Sequence, residues 1–271
     1  MVRHCFVAVS VLALTCTGLA AQTEPKDEAA ELAKQLANPV ASLVSVPFQT
    51  NWDFGVGPGP DNDTRFQLNF QPVMPFVLNK EWNLIARVIV PYLSRPPLIT
   101  GGPASSGIGD ILVSGFFSPS QPGKFVWGVG PALQLPVAAE PTLGSGQWAA
   151  GPTFVLLKQS GHWTYGALAN HVWSYAGDDS RPGVNQTLLQ PFASYTTAKA
   201  TTFTLNSEST LNWNTPKGNV WTVPIIAQVS QLVRLGKRPI SVGVGYGNYV
   251  ETPDDGPNWK FRALLTLLFP K

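Results

Sequence analysis

The chain has 271 residues, with 18 Lys and Arg against 16 Asp and Glu, a formal charge of +2 and only 13% charged side chains. That balance provides no basic field for nucleic acid and no acidic tail. With 25 Gly, 25 Pro and 9 Trp the sequence is too apolar for disorder and too rich in helix breakers for a helical protein.

At the N-terminus, Arg3 precedes the apolar run CFVAVSVLAL (residues 5 to 14), and Gly18-Leu19-Ala20 offers small residues where a signal peptidase reads. Residues 1–20 are expected to be a signal peptide cut after Ala20 or Ala21. Lipidation through Cys16 is a weaker alternative, because Thr15 is bulkier than the Gly, Ala or Ser usual before a lipidated Cys. Cys5 and Cys16 both lie inside this segment, so the mature chain would hold no disulfide and would depend on packing and hydrogen bonding. No apolar run of 18 residues follows, which excludes helical membrane spans.

Within residues 21–39, EPKDEAAELAKQLANP places Ala29, Leu32, Ala33 and Leu36 at helical spacing, and Asn38-Pro39 ends the pattern. One short amphipathic helix is predicted over 25–37, either a periplasmic spacer or a plug folded into a barrel lumen. From Ala41 onward the period becomes two. Phe66, Leu68, Phe70, Met74 and Phe76 share one face and Arg65, Gln67, Asn69 and Gln71 the other. The split recurs at 202–214, where Phe203, Leu205, Leu211 and Trp213 oppose Thr202, Thr204, Asn206, Glu208, Thr210 and Asn212, and again at 259–269.

The strand rules give about twelve segments, near 42–54, 64–78, 81–94, 107–117, 124–136, 147–158, 162–175, 184–196, 200–213, 219–233, 239–250 and 258–269. Their connections alternate between tight turns and longer loops rich in Gly, Pro and Asp; only 118–123 and 214–218 fit less cleanly. An even number of strands with this alternation predicts an all-β fold, a closed antiparallel transmembrane barrel of about 12 strands over residues 40–271. A soluble lipocalin-type barrel with its faces reversed is the architectural alternative. Trp163 and Tyr165 share parity with Trp173 and Tyr175 about ten residues on, roughly 25 Å along a tilted strand, so these four, with Trp213 and Trp259, are candidate membrane-interface aromatics.

The wet faces supply the candidate pore-lining residues: Arg65, Gln67, Asn69, Gln71, Arg87, Asp110, Gln186, Gln190, Asn206, Glu208, Gln228, Lys260 and Arg262. The cations, with Arg234 near the rim, outnumber Asp110, Glu208 and a third candidate carboxylate, Asp53. Unpaired, they favour small anionic or polar solutes; paired across the lumen, they close it. His162 and His171 fall on opposite faces nine residues apart, too far to share a metal by themselves, and read as polar residues near strand ends. A lipid hydrolase using His171 is the catalytic alternative, but no nucleophile-elbow motif accompanies it. Asp61-Asn62-Asp63, Asp178-Asp179 and Asp254-Asp255 lack EF-hand spacing and read as turn residues. GVGYG at 243–247 lies within a strand and reads as small lumen-facing side chains rather than a dinucleotide fingerprint.

The segments ELAKQLANPVASLVSVPFQTNWDFGVGP, NLIARVIVPYLSRP, GIGDILVSGFFSP, WGVGPALQLPVA, LGSGQWAAGPTFVLLKQSGHWTYGALANHVWSYAGDD, VNQTLLQPFASY and PDDGPNW keep their order and spacing across residues 31–271. Together they resemble a family of bacterial outer-membrane transporters whose members often carry the misleading label neuromedin U. That family is similar to barrels associated with the meta-cleavage pathway of phenol degradation. The resemblance implies a transport role and that the ending LLFPK, with Phe269 followed by Pro270-Lys271, is normal for the family, Phe269 and its strand mates carrying the assembly signal. It supplies no substrate and no catalytic residue. The expected function is a channel or transporter for small solutes, aromatic or small organic acids among them, in the outer membrane of a Gram-negative cell. Its expected partners are outer-membrane lipids, the barrel-assembly machinery and a small-molecule solute, with no nucleic acid, cofactor, metal or enzymatic activity. A lipid hydrolase and a structural or adhesive barrel with a closed lumen are the alternatives.

Overall fold

Backbone inside a bilayer has no water to bond, so a sheet there must pair all its strands and leave no edge. The computed structural model, which describes residues 26–57, 63–97, 102–215 and 220–270, meets that demand by joining the first strand to the last. β1 (Val44–Val56) pairs antiparallel with β15 (Trp259–Phe269) from Val44↔Phe269 to Phe54↔Trp259. Between them, in chain order, lie β2 (Asp63–Phe70), β3 (Val73–Val77), β4 (Trp82–Arg95), β5 (Ser105–Ile108), β6 (Ile111–Pro119), β7 (Val126–Leu135) and β8 (Gln147–Ser160). The series continues with β9 (Trp163–Gly177), β10 (Asn185–Thr196), β11 (Thr201–Ser207), β12 (Ser209–Asn212), β13 (Trp221–Leu235) and β14 (Arg238–Glu251).

Three pairs of these segments are single staves that the chain interrupts, so the barrel has twelve staves, the number expected from the sequence. β2 and β3 keep one register against β1, Phe48↔Phe70 and Ser45↔Val73, which sets Pro47 opposite Gln71 and Pro72 opposite Val46. A proline has no N–H to give to the ladder. The gap at Glu208 between β11 and β12 has the same cause. Extending the registers sets Pro191 of β10 opposite Ser207 and Pro224 of β13 opposite Glu208. The third gap is a bulge: Tyr92 faces Ile108 but Ile89 faces Leu112, so Gly109-Asp110 contributes one extra residue against β4.

The faces decide between a transmembrane barrel and its soluble inverse. Phe203, Leu205, Val244 and Tyr246 stand on the outside, all about half exposed, whereas Asn51, Asp53, Thr164, Lys260 and Arg262 are buried inside. An apolar exterior around a polar interior is the arrangement of an outer-membrane barrel, and no helix among the described residues is long and apolar enough to cross a membrane. All six candidate interface aromatics point outward, Trp163 and Tyr165 toward the turn end and Trp173, Tyr175, Trp213 and Trp259 toward the loop end.

The interior is not polar throughout. Ile85, Phe116, Val155, Leu157 and Leu168 form a buried cluster in the turn-end half, joined by Val40 from the segment before β1. The short helix α1 (Lys26–Leu36) sits in the same mouth. Its Ala33, with Ala29, Leu32 and Leu36, packs on Leu43, Ala200, Leu232 and Leu268, and Gln159 Nε2 donates to Lys34 O at 3.1 Å. Eleven residues make a marginal helix in water, so this packing is what holds it. The expected signal peptide, Cys5, Cys16, Asp61 and Asn62 lie outside the described residues.

Leu205→Arg sets a charge against hydrocarbon, at a cost of about 2–4 kcal/mol near the midplane. Thr204→Arg sets it in the wet interior. The expected outcome is a clear loss of the folded, heat-modifiable band on gels for Leu205→Arg and a smaller loss for Thr204→Arg.

Candidate functional site

The polar side chains of the lumen converge on staves that adjoin one another: β15, β1, β2 with β3, and β4. Alternation along β1 turns Gln49, Asn51 and Asp53 inward, and β15 turns Lys260 and Arg262 inward beside them. Asp53 Oδ2 accepts from Arg65 Nη2 at 2.8 Å, and its Oδ1 accepts from Tyr249 Oη at 2.8 Å and lies 3.3 Å from Lys260 Nζ. Arg262 is almost fully enclosed. It donates to Asn51 Oδ1 at 2.8 Å and forms a two-pronged pair with Glu208 at 2.9 and 2.7 Å. Since β13 and β14 stand between Glu208 and β15, this pair is a chord across the lumen rather than a contact between neighbouring strands.

Room for these stems comes from β14. Gly245 and Gly247 face inward, and a Cβ at Gly247 would lie 2.8 Å from Lys260 Cγ. The alternating glycines of GVGYG thus clear space for the two cations, as small lumen-facing residues do. Asn51 and Tyr249 belong to the cluster but were not among the candidate pore residues. Their inward parity could have been read from the sequence; their partners could not.

Deeper in the barrel, Arg87 Nη2 donates to Gln71 Oε1 at 2.6 Å, its one hydrogen bond among the described residues. Both open onto a cavity of about 240 Å³ shared with Gln49, Gln190 and Gln228 and floored by Leu36 and Ala37 at the end of α1. Asn69 is buried and accepts from Gln67 Nε2 at 2.8 Å. Asn206 is buried with its Oδ1 unbonded, and Gln186 shares the inward parity of Gln190 on β10. Asp110 lies apart from this group. At the bulge its Oδ2 accepts from Ser145 N at 2.6 Å and Ser145 Oγ at 2.7 Å in the 136–146 loop, and from Gln134 Nε2 of β7 at 3.2 Å. Arg181 and Arg95 bond carbonyls of the same loop, Thr142 O among them, and Leu143 is buried beneath it.

The charge balance of the central cluster follows directly. Arg65, Arg87, Lys260 and Arg262 are four cations facing two carboxylates, Asp53 and Glu208, which leaves two positive charges in excess. So the cations are partly paired across the lumen, while Arg87 is held by Gln71.

The histidines are separate from this site. His162 Nδ1 lies 2.8 Å from Thr196 O at a turn. His171 faces outward, its Nδ1 2.8 Å from Thr187 Oγ1, which also accepts from Trp213 Nε1 at 2.9 Å. Ser174, the serine nearest to His171 in sequence, faces the lumen instead, where its Oγ accepts from Val184 N. Asp178 caps its own loop: hydrogen bonds from the Ser180 hydroxyl and N–H hold its carboxyl below the usual range, as turn chemistry requires.

No protein-family model and no curated protein matches the sequence. Solved structures do match the fold. An outer membrane channel from Pseudomonas putida F1 aligns over 84% of this chain and 96% of its own at 13% identity, with a TM-score of 0.65. The NanC porin aligns over 84% of this chain and 100% of its own at 10% identity, with a TM-score of 0.52. Outer membrane phospholipase A from Escherichia coli covers 91% and 98% at 11% identity, and its TM-score of 0.44 is too loose to bear on function. The fold is that of an outer-membrane β-barrel.

Removing one partner of an enclosed ion pair strands the other charge, which costs about 3–5 kcal/mol. Glu208→Ala is expected to lower the free energy of unfolding in urea by about that amount. The double variant Glu208→Ala/Arg262→Met should recover much of the loss, and simple additivity of the two changes would show that the chord carries no coupling.

Proposed function

We propose that this protein is an outer-membrane channel for small anionic organic solutes, held closed at its turn end by the N-terminal segment. The excess of positive charge on the wall formed by β15, β1, β2 and β4 carries this reading. A structural barrel has no need to enclose four cations with two carboxylates, and fixed positive charge in a narrow polar passage favours anions. The barrels it matches in fold include a channel and a porin, which supports the class and says nothing of the solute. The sequence resemblance to barrels of phenol degradation favours aromatic acids among the small organic anions. In this reading outer-membrane lipids meet the apolar belt, and Phe269 with its strand mates presents the assembly signal.

Planar-bilayer recording in a potassium chloride gradient tests the proposal on the mature chain and on a version lacking residues 22–38. Anion-selective conductance steps, enlarged by the deletion, are expected. Cation selectivity would contradict the charge argument. Silence from both proteins, with no solute uptake into liposomes, would put the structural or adhesive reading ahead.

His171→Ala is expected to leave conductance unchanged and to reveal no role in lipid cleavage, because His171 lies on the outer face away from the lumen cations. Phospholipid hydrolysis by the purified protein, lost on this change, would favour the enzyme instead.

A further inference from the structure

The cavity beneath Arg87 is two-sided. Its roof carries Arg87 and Gln71, with the amides of Gln49, Gln190 and Gln228 around them; its floor carries Leu36, Leu43 and Leu232, two of them contributed by the N-terminal segment. We propose that this cavity is a binding site for one small monocarboxylate with an apolar body, its carboxylate on Arg87 and its body against the N-terminal segment. The proposal rests on the channel reading and adds to it a resting place for the solute.

Three observations carry the assignment. The first is the state of Arg87. Its guanidinium uses one of its five N–H groups on Gln71 Oε1, and no carboxylate bonds it among the described residues, whereas Asp53 and Glu208 are engaged by the other lumen cations. A planar fork with free donors matches a carboxylate, and a charge-assisted bond is roughly twice as strong as a neutral one. The second is the amides. Those of Gln49, Gln190 and Gln228 carry no hydrogen bond to the described protein groups, so they keep donors and acceptors turned to the space. The third is size. At about 240 Å³ the cavity has room for a molecule the size of benzoate.

The position of the site adds a consequence. Because Leu36 and Ala37 form part of the floor, an occupant touches the segment that closes the turn end. Solute and plug therefore share a surface, and an apolar body enlarges that contact where acetate leaves it empty.

Equilibrium dialysis of radiolabelled benzoate against the folded mature protein in detergent tests the site, with empty micelles as the partition control. Saturable binding of one benzoate per barrel is expected, with benzyl alcohol failing to displace it and acetate competing at least tenfold more weakly. Arg87→Gln should weaken benzoate at least tenfold. Gln190→Glu, which puts a negative charge in the cavity, should do the same, so a folding failure of either variant, read by heat-modified mobility, leaves the other to decide. Binding that does not saturate, or that folded variants leave unchanged, would overturn the site. Anion-selective conductance without benzoate binding would overturn the site and leave the channel standing, whereas cation selectivity would remove the anion-channel reading on which the site rests.

Discussion

The pairing of Val44↔Phe269 through Phe54↔Trp259 is the contact on which the rest of this molecule depends. In hydrocarbon an unpaired strand edge leaves N–H and C=O groups with no partner, at several kcal/mol for each. Closing the sheet removes that cost and fixes two faces. Alternation along every stave then sends apolar side chains to lipid and the remaining ones to the lumen. The polar cluster around Asp53 and Arg262 is thus a product of closure, which gathers onto one wall residues as distant in sequence as Asn51 and Arg262.

Inside that wall the lumen is divided along its axis. The loop-side half holds charge, with Arg65, Tyr249 and Lys260 gathered on Asp53, and Arg262 paired with Glu208 beside them. The turn-side half is a hydrophobic core, built from Ile85, Phe116, Val155 and Leu168 with Val40, and from Leu232 and Leu268 with α1. The polar cavity lies at the join, bordered by Arg87 on one side and by the end of α1 on the other. In the proposed channel, a solute moving along the axis would pass from a region that favours its charge to one that favours its body.

Parity made most of this fold legible in the sequence. Two-residue alternation located the twelve staves, and the turn and loop lengths located the two ends of the barrel. The assignment of which alternate face meets lipid needed the closed structure. The interruptions at Gln71-Pro72 and at Glu208 were less visible, because they come from prolines on neighbouring strands, Pro47, Pro191 and Pro224, and neighbours depend on register. Inward-facing cations could be named one by one. Their pairing could not, since the Glu208–Arg262 chord crosses two intervening staves and has no signature in local spacing. Asp110 shows a related limit: strand parity could name it, but its partners in the 136–146 loop, Ser145 among them, have no signature in spacing.

The helix in the turn-end mouth is not a free ligand. Residues 37–43 join it directly to β1, and seven residues reach at most about 25 Å when fully extended. If the proposed channel opens by displacing this helix, such a leash keeps its local concentration at its own seat high and independent of how much protein the membrane contains. Reclosure would then be an intramolecular event. On that reading each barrel is closed by its own segment, whatever stands beside it in the membrane.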